Sequence, residues 1–371
     1  MKVSGTKIFA LTYGLLLTGL TAYVLLDSFV IPHRYAEVES REEPVVIAEE
    51  NTAVTEVTED EAPAAEVVEK DKSVAKDDAG TAESVKSRAR KGSGEKRKER
   101  AAAESDLAAE DTDRAASGES EKTESADTEK TASAHYEEAG TEISLNEYRV
   151  NDTDVYVADI KLQSAESLKT AFAGDCYGRN VTAKTSRIAE DNGAVLAING
   201  DFYGSRESGY VIREGVLYRD RAAEGNEDLV IMKDGSFRII NESEVGAQEL
   251  LDMGAWNVFS FGPALVSEGE IAVSEGEEVG KAMQSNPRTA IGIIDELHYV
   301  FVVADGRTTE SEGLTLSELA KFMKELGVQT AYNLDGGGSS TMVYQGQLIN
   351  NPTTGGKKIG ERSVSDIVYI R

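Results

Sequence analysis

The segment NLDGGGSSTM, residues 333–342, sets an acid beside three glycines and two hydroxyls, a combination that can bind an anion. Asp335 follows a short apolar run, and the glycines after it allow the backbone N–H groups of residues 336–339 to point into one concavity. Such a concavity suits a phosphate or a sugar oxygen. The alternative is a flexible turn, although a turn needs neither the acid before it nor the hydroxyls after it. On these residues alone, both interpretations stand.

The segment AINGDFYG, residues 197–204, repeats this design. An apolar run delivers Asn199 and Asp201 to the point where a strand would meet a loop, and ligands of open sheets tend to bind at that end of a strand. A turn closed by hydrogen bonds from the Asn and Asp side chains to the backbone explains the same residues. Spacing alone favours the turn, so a site here needs further support.

Arginines near the ends of apolar runs could complete a site for an anion. Arg288 directly precedes one run, in SNPRTAIG, and Arg362 precedes the last one, in GERSVSD. A further segment, VVADGRTTESEGLT, adds Asp305 and Arg307. The planar guanidinium matches phosphate oxygens with two parallel hydrogen bonds. Arginines at strand ends are also ordinary partners in surface ion pairs, which is the alternative for each of them.

Short strands and hairpins must carry these motifs. Four segments place a Gly, Asp or Glu turn between two apolar runs, the pattern of a β-hairpin: 210–219, 229–240, 264–273 and 289–303. The clearest predicted helix covers residues 315–327, with Thr315 and Glu318 at capping-box spacing and Gly327 at the C-terminal cap. A strand follows this helix. The order predicts an α+β fold, a mixed, hairpin-rich β-sheet with helices packed on it.

Six motifs, taken together and in order, resemble the phosphodiester glycosidase family: AINGDFY, FGPALV, NPRTAIG, VADGR…SEGLTLSELA, NLDGGGSSTMV and ERSVSD. They span most of residues 195–370, about half of the chain. The resemblance implies a hydrolase that cleaves a sugar-1-phosphodiester into the free sugar and a phosphomonoester, with N-acetylglucosamine the family's best-known sugar. Its bacterial members are often linked to exopolysaccharide, so a phosphate-containing glycan or wall polymer is the implied partner.

The resemblance also implies roles for the candidate residues. Asp201 and Asp335 become candidates for nucleophile, general base or water positioning, and Asp305 is a third catalytic candidate. A phosphomonoester has a second pKa of about 6, so it leaves with little help from a general acid. Asn199 would orient a sugar hydroxyl or an Asp, and Tyr203 would stack on the sugar. The phosphate would be bound by Arg288, Arg307, Arg362, Gly336, Gly337, Gly338 and Ser339.

Two alternatives to a glycosidase stay open on the sequence. Attack at phosphorus instead of the anomeric carbon would favour a divalent cation, for which Asp201 and Asp335 could supply oxygen ligands. The sequence requires no cofactor, and a divalent cation is only a possibility that these carboxylates leave open. The second alternative is a module that binds wall polymer or a phosphosugar without cutting it.

The N-terminus predicts a membrane anchor. Residues 8–26 carry no charge, and at helical rise they cover about 28 Å, close to the hydrocarbon thickness of a bilayer. Lys2 and Lys7 precede them, which places the N-terminus in the cytoplasm and the C-terminal domain outside. We therefore expect residues 1–35 to form an uncleaved signal anchor of a single-pass protein of the cell membrane. A cleaved signal peptide is the alternative.

Composition divides the rest of the chain in two. Residues 36–140 hold 30 acidic and 15 basic side chains, with a basic island at 86–100, and cannot bury enough apolar surface to fold, so they predict a disordered linker. Residues 141–371 hold 36 acidic and 21 basic residues and nearly every aromatic, and predict the catalytic domain. This excess of acid excludes nucleic acid as a partner. The single cysteine, Cys176, suits a bacterial surface protein.

Overall fold

The computed structural model describes residues 5–38, 129–274, 276 and 285–371, and within them the chain is built mainly from strands. The helices of these residues are α1 (Gly5–Phe29), α2 (Thr185–Asp191), α3 (Ala247–Asp252) and α4 (Leu316–Glu325). The first ten strands are β1 (His33–Glu37), β2 (Glu129–Glu138), β3 (Thr141–Val150), β4 (Thr153–Leu162), β5 (Leu168–Phe172), β6 (Cys176–Arg179), β7 (Leu196–Asn199), β8 (Val211–Arg213), β9 (Val216–Arg219) and β10 (Glu227–Met232). The others are β11 (Phe237–Asn241), β12 (Ala255–Phe259), β13 (Ala264–Ser267), β14 (Glu270–Ile271), β15 (Arg288–Asp295), β16 (His298–Ala304), β17 (Thr330–Asn333), β18 (Met342–Tyr344), β19 (Gln347–Leu348) and β20 (Asp366–Ile370).

The strands form three large sheets and one small one. Eight strands lie in the order β14-β13-β17-β15-β16-β4-β3-β2, and two sheets of five strands have the orders β11-β10-β12-β8-β9 and β19-β18-β7-β20-β5. The pair β1-β6 makes the fourth sheet. Every strand pairing between named strands of the described residues is antiparallel.

The predicted α+β class is therefore wrong, because the described chain is mainly antiparallel β with few helices. The prediction rested on the succession of strand, helix and strand around α4, which resembles a crossover between parallel neighbours. In the structure, β17 follows α4 but pairs antiparallel with β13 and β15, so the helix joins no two adjacent parallel strands. Seven of the sixteen described pairings are hairpins between consecutive strands, and the other nine join antiparallel strands that are not consecutive in the chain.

The four predicted hairpins are confirmed. The pairs β8-β9, β10-β11, β13-β14 and β15-β16 are each antiparallel neighbours joined by the turn that the sequence indicated. Three of the four turns use left-handed backbone at a glycine, as at Gly215 with φ 74° and Gly235 with φ 87°, whereas the β15-β16 turn uses Leu297 with φ 54°. Glycine adopts this conformation without the steric cost that a side chain would add.

The predicted helix at residues 315–327 is also confirmed. Thr315 accepts a hydrogen bond from the backbone N–H of Glu318, whose side chain accepts from the Thr315 N–H, so the capping box closes as expected. Leu319, Phe322 and Met323 lie on the buried face of α4 and pack against one face of the eight-stranded sheet. The helix therefore covers the outer face of this sheet.

The opposite face of the eight-stranded sheet contributes to the main core. This core joins side chains of β4, β16 and β17 to side chains of both five-stranded sheets, such as Ile160, Phe301 and Tyr332 with Ile198 and Phe259, all fully buried. Alternation along each strand explains the division, since successive side chains point to opposite faces. Helices α2 and α3 cover the outer faces of the two five-stranded sheets.

Strand register brings the candidate motifs to one edge of these sheets. The end of β7 meets the beginning of β20, where Asn199 pairs with Ile367. The beginning of β15 meets the end of β17, where Ala290 pairs with Asn333. The residues that follow β7 and β17, and those that begin β15 and β20, thus lie near each other.

The predicted membrane anchor is wrong. Among the described residues, no helix combines the length and the apolar character that crossing a bilayer demands. The predicted single-pass placement, with the C-terminal domain outside the cell, falls with the anchor.

Most of the predicted linker, including its basic island at residues 86–100, lies outside the described residues. Its two margins are described, since β1 ends at Glu37 and β2 covers Glu129–Glu138. Strand β2 pairs along its length with β3 and forms the edge of the eight-stranded sheet. For residues 39–128 the disordered linker stays a prediction.

Truncating a core side chain of α4 tests this packing. We expect Leu319→Ala to lower the free energy of unfolding by about 2–5 kcal/mol, because it leaves a cavity beneath the helix. The matched variant Lys321→Ala changes an exposed residue of the same helix. It should lower the free energy of unfolding by less than about 1 kcal/mol. Urea unfolding followed by circular dichroism measures both. Equal losses in the two variants would contradict the assignment of the buried face.

Candidate active site

A buried guanidinium lies at the centre of the candidate site. Arg213, at the end of β8, donates from Nε and Nη2 to Asp366 Oδ2 at 3.1 and 2.7 Å and from Nη2 to Asp201 Oδ2 at 3.1 Å. Its Nη1 donates to the carbonyls of Ile212 and Val258. Burial lowers the pKa of Arg213, but the two carboxylates outweigh it, so the pKa is raised overall and the charge is kept. This ion triad links β8, β20 and the segment after β7.

The Asp201 side chain accepts hydrogen bonds within this triad and from nearby backbone N–H groups. It is 0% exposed. Besides Arg213, the backbone N–H groups of Tyr203 and Ser260 donate to its two oxygens at 2.9 and 3.1 Å. A carboxylate with three such donors and no exposed surface holds structure together. It is poorly placed to react with a substrate.

Asp366 is the second carboxylate of the triad and was not among the sequence candidates. Burial, and next the nearby charge of Asp201, raise its pKa to about 7, against the lowering effect of Arg213. One guanidinium can neutralise only one of two carboxylates that are buried away from water. A proton retained on Asp366 neutralises the other. Near neutral pH this triad therefore carries little net charge.

Asn199 ties the site together through four hydrogen bonds. Its Nδ2 donates to the carbonyls of Gly200 and Asp335, at 3.2 and 2.6 Å, while its Oδ1 accepts from Thr289 Oγ1 and from the Thr341 N–H. These bonds use both donors and both acceptor positions of the amide. The side chain is fully buried, so the structure gives Asn199 no group with which to orient a sugar hydroxyl.

Asp335 is the most accessible of the candidate carboxylates. Arg362 Nη2 donates to Asp335 Oδ2 at 3.0 Å, and the same nitrogen donates to Ser339 Oγ at 2.6 Å. The side chain of Asp335 is 12% exposed and that of Arg362 is 39% exposed. Burial raises the pKa of Asp335, opposed chiefly by the charge of Arg362. These three side chains form a partly open acid, cation and hydroxyl cluster.

The two acids predicted to cooperate do lie near each other. The N–H of Asp335 donates to the carbonyl of Gly200, the residue before Asp201, at 3.2 Å. The charge of Asp201 is also among the causes that raise the pKa of Asp335. They differ in access, since Asp335 faces the surface and Asp201 lies beneath it.

The three glycines after Asp335 form a tight loop and not a spacer. Gly337 has φ 63°, and a Cβ there would lie 2.9 Å from Arg307 Nη2. A Cβ at Gly338 would lie 2.5 Å from Thr354 Oγ1. The N–H of Gly337 donates to Pro287 and that of Ser339 to Gly336, so these two are already used within the loop. Among the described hydrogen bonds, the N–H groups of Gly336 and Gly338 are left for a ligand.

Arg307 brings a second guanidinium to this loop. Its Nε and Nη2 donate to Asn286 Oδ1 at 3.1 and 2.8 Å, and its Nη1 donates to the carbonyl of Thr354 at 2.6 Å. Burial and then the charge of Arg362 lower the pKa of Arg307. Two guanidiniums that repel each other across a glycine loop are stabilised when an anion lies between them. This part of the site therefore suits a phosphate.

Two further candidates, Arg288 and Asp305, are buried and hydrogen-bonded within the protein. Arg288 is 3% exposed and donates from Nε to the Leu314 carbonyl at 2.9 Å, which fixes the segment before α4. Asp305 is also 3% exposed, and its oxygens accept from the Asn350 side chain and from the N–H of Asn351. Burial raises the pKa of Asp305. Both residues are thus buried, whereas the side chain of Arg362 is 39% exposed.

Tyr203 is buried in an aromatic cluster and does not face the surface. It is 2% exposed, and its ring stacks on Tyr177 at 5.3 Å with an interplanar angle of 20°. Its neighbour Phe202 is 38% exposed and follows Asp201 directly. Phe202, which sequence reasoning missed, is thus the aromatic of this turn that can meet a sugar.

The donor set does not fit a divalent cation. Asp201 already accepts from Arg213 and Asp335 from Arg362, so a dication would have to displace or approach two guanidiniums. Among the described residues, no group of three or more His, Cys, Asp or Glu side chains is gathered as ligands.

Arg213, Asp366 and Ser260 were missed by sequence reasoning. Arg213 ends the apolar run YVIR, and Asp366 begins the apolar run DIVYI. The available signal was a charged residue inside an apolar run, because such residues are rarely buried without a partner. Which charges pair across the fold depends on register, which the sequence alone does not give.

The pKa of Asp366 has a measurable consequence for stability. In the unfolded chain this group titrates near 3.8, and in the folded protein near 7, so between these values only the folded state keeps the proton. Its contribution to the free energy of unfolding therefore falls as pH rises from about 4 to about 7. We expect Asp366→Asn to gain stability relative to wild type over this range, in urea unfolding. The exposed control Asp220→Asn should show no such trend, and a pH-independent difference for Asp366→Asn would contradict the assignment.

Sequence comparisons agree with the predicted resemblance. Residues 192–371 match the family model described as phosphodiester glycosidase. The SPbeta prophage-derived uncharacterized protein YomE of Bacillus subtilis is 34% identical over 190 residues, which cover 49% of this chain and 29% of that protein. The mouse N-acetylglucosamine-1-phosphodiester alpha-N-acetylglucosaminidase is 31% identical over 212 residues, 53% of this chain and 40% of the enzyme. The matches thus span less than half of either relative.

A solved structure shares the fold. The catalytic domain of the zebrafish N-acetylglucosamine-1-phosphodiester alpha-N-acetylglucosaminidase, auto-inhibited by its pro-peptide, matches with a TM-score of 0.50 and 22% identity. The match covers 66% of this chain and 88% of that domain. At this identity the likeness concerns the fold, whereas the family assignment comes from the sequence matches. Residues 192–371 of this chain therefore match the phosphodiester glycosidase family by sequence.

Proposed function

We propose that residues 141–371 are a hydrolase domain that cleaves sugar-1-phosphodiesters to the free sugar and a phosphomonoester. The substrate we propose is a diester of N-acetylglucosamine-1-phosphate within a phosphate-containing glycan. The observation that carries the proposal is the partly open carboxylate Asp335, which is held by Arg362 and Ser339 beside a second guanidinium, Arg307. The name of the mouse relative supports the choice of sugar and bond.

Phosphate binding falls to the two exposed or half-buried arginines. Arg362 offers a guanidinium that is 39% exposed, and Arg307 supplies the second charge on the other side of the glycine loop. The N–H groups of Gly336 and Gly338 can add two neutral donors. Charge-assisted hydrogen bonds of this kind are the strong ones in proteins, and they orient a phosphodiester with its bridging oxygen fixed.

Asp335 is the reacting carboxylate in this proposal. With the phosphate bound at Arg362, the carboxylate lies beside the anomeric carbon and can attack it or take a proton from an attacking water. The C–O bond to the phosphate breaks, and its electron pair leaves on the phosphomonoester. If Asp335 attacks, water then hydrolyses the glycosyl ester to free sugar and restores the carboxylate. If water attacks, its proton passes to Asp335 and free sugar forms directly. Because that leaving group is a weak base, no second carboxyl is required as a general acid.

The buried triad positions this chemistry without touching the substrate. Asp201 fixes the turn at Tyr203 and the N–H of Ser260, and the carbonyl of Gly200 holds the N–H of Asp335. Phe202 presents its ring at the surface next to this turn and can cover one face of the sugar. Asp201 and Asn199 are thus positioning residues, and Asp335 and Arg362 are the groups that contact the substrate.

Replacing Asp335 tests the assignment. We expect Asp335→Asn to lower kcat for the methyl diester of N-acetyl-α-glucosamine-1-phosphate by about 10²–10⁴-fold, the usual worth of a positioned acid or base. Burial raises the pKa of Asp335 above its ordinary value of 3.8, so wild-type kcat/KM should fall on the acid side with a midpoint above that value. Release of free sugar, followed across pH, measures both effects.

The control for this variant is Asp152→Asn, which changes a carboxylate whose side chain is 93% exposed. It should retain wild-type kcat. Asp335→Asn protein that is folded, as judged by its unfolding midpoint, and still cleaves the diester at the wild-type rate would remove Asp335 from the mechanism.

Inhibition by inorganic phosphate tests binding at the proposed anion site, separately from bond cleavage. We expect phosphate to inhibit competitively, and Arg307→Gln to raise its inhibition constant by about tenfold or more, because one charge-assisted contact is lost. Arg187→Gln, a change on the exposed face of α2, serves as the matched control. An inhibition constant that is the same in all three proteins would show that Arg307 does not contact the phosphate.

A further inference from the structure

A second cationic cavity lies beside the Tyr203 turn. Its volume is about 210 Å³. Four arginines and one glutamate line it, which gives a local excess of three positive charges in a chain whose net charge is −28. The charged residues that line it are Arg179, Arg206, Glu207, Arg219 and Arg221.

Arg219 is locked in the wall of this cavity. Its Nε donates to the carbonyl of Gly209 at 2.6 Å, and its Nη1 donates to the carbonyls of Tyr203 and Arg206 at 3.0 and 2.7 Å. Its Nη2 is buried and has no hydrogen-bond partner among the described residues. The backbone thus fixes a guanidinium whose charge no described carboxylate pairs with directly. A fixed and unpaired charge of this kind favours an anionic ligand.

The rim of the cavity adds cations that can adapt. Arg221 is 69% exposed and lies 3.9 Å from Glu207, which is equally exposed. Glu207 also lies 3.6 Å from Arg179. Exposed ion pairs at these distances contribute little, so an anion can replace Glu207 as the partner of either arginine at small cost.

Aromatic rings form another part of the wall. Tyr35 of β1 and Tyr177 of β6 have ring centroids 5.9 Å apart, and Tyr35 is 62% exposed. Flat apolar faces next to guanidiniums suit a ligand that carries both a sugar ring and a phosphate. A simple ion would use only the arginines.

The cavity and the candidate active site share structure. The Tyr203 N–H donates to Asp201 Oδ1, and Arg206 Nη1 donates to the carbonyl of Ser260, whose N–H donates to Asp201 Oδ2. Tyr203 therefore lines the cavity and also holds Asp201, and Ser260, which holds Asp201 as well, accepts from the cavity-lining Arg206. The exposed Phe202 directly precedes Tyr203, so one turn contributes to both places.

We infer that this cavity binds a further phosphodiester of the same glycan whose sugar-1-phosphate bond is cleaved at Asp335. The preferred substrate is then a glycan with repeated phosphodiesters, recognised at two anionic positions, and not a single diester. This inference rests on the proposed function and specifies its substrate class.

The test compares two substrates of the full-length protein. One is the methyl diester of N-acetyl-α-glucosamine-1-phosphate, and the other is a synthetic N-acetylglucosamine oligomer joined by three phosphodiesters. We expect wild type to show a KM about tenfold lower for the oligomer, and Arg221→Glu to reduce that KM ratio to about twofold or less. The control Arg238→Glu reverses a charge at an exposed position of β11 and should keep the wild-type ratio.

The outcomes separate the inference from the proposed function. If wild type cleaves the methyl diester but has the same KM for both substrates, or if Arg221→Glu keeps the ratio, the inference is overturned and the proposed function stands. If wild type cleaves neither substrate, the proposed function fails. Calorimetric titration with the oligomer then shows whether the cavity binds it. Binding that weakens at least about fivefold in Arg221→Glu and not in Arg238→Glu would support the cavity, and equal binding by all three proteins would overturn it.

Discussion

The ion triad of Arg213, Asp201 and Asp366 is the interaction on which the site depends. A buried charge is costly unless it is paired and hydrogen-bonded, and here one guanidinium joins two carboxylates at 2.7–3.1 Å. Removing one partner would leave an uncompensated charge in the core. The triad connects one five-stranded sheet, through β8, to the other, through β20. It therefore fixes where the segment after β7 can lie.

Hydrogen bonds connect this triad to the residues that we propose react with the substrate. Asp201 fixes the Tyr203 turn, Asn199 uses its whole hydrogen-bonding capacity to join that segment to Asp335 and to β15, and Gly200 accepts from Asp335. Asp335, Arg362 and Arg307 differ from these buried residues, because they are partly exposed and carry the charges that a phosphodiester would meet. The buried hydrogen bonds hold Asp335 in a fixed position. Fixed groups of this kind are the condition for electrostatic stabilisation of a transition state.

Local features were predictable from the sequence, whereas pairing over long distances was not. The hairpin β15-β16 and the capping box of α4 depend on residues a few positions apart, so their turn and cap residues identify them. The fold class was wrong because β17 pairs with β13 and β15, a choice that depends on the packing of the whole sheet. The candidate site was predicted as a set of motifs, and the structure divides that set by burial. Asn199, Asp201 and Tyr203 are at most 2% exposed, whereas the side chain of Asp335 is 12% exposed and that of Arg362 is 39% exposed.

The position of bond cleavage distinguishes attack at the anomeric carbon, the role proposed for Asp335, from attack at phosphorus. Hydrolysis of the methyl diester of N-acetyl-α-glucosamine-1-phosphate in ¹⁸O-labelled water, with the products analysed by mass spectrometry and ³¹P NMR, shows which atom the water attacks. Attack at the anomeric carbon places the label in the released sugar and leaves the phosphomonoester unlabelled. We expect this result if Asp335 acts as proposed. Label in the phosphomonoester would show attack at phosphorus and contradict the role given to Asp335.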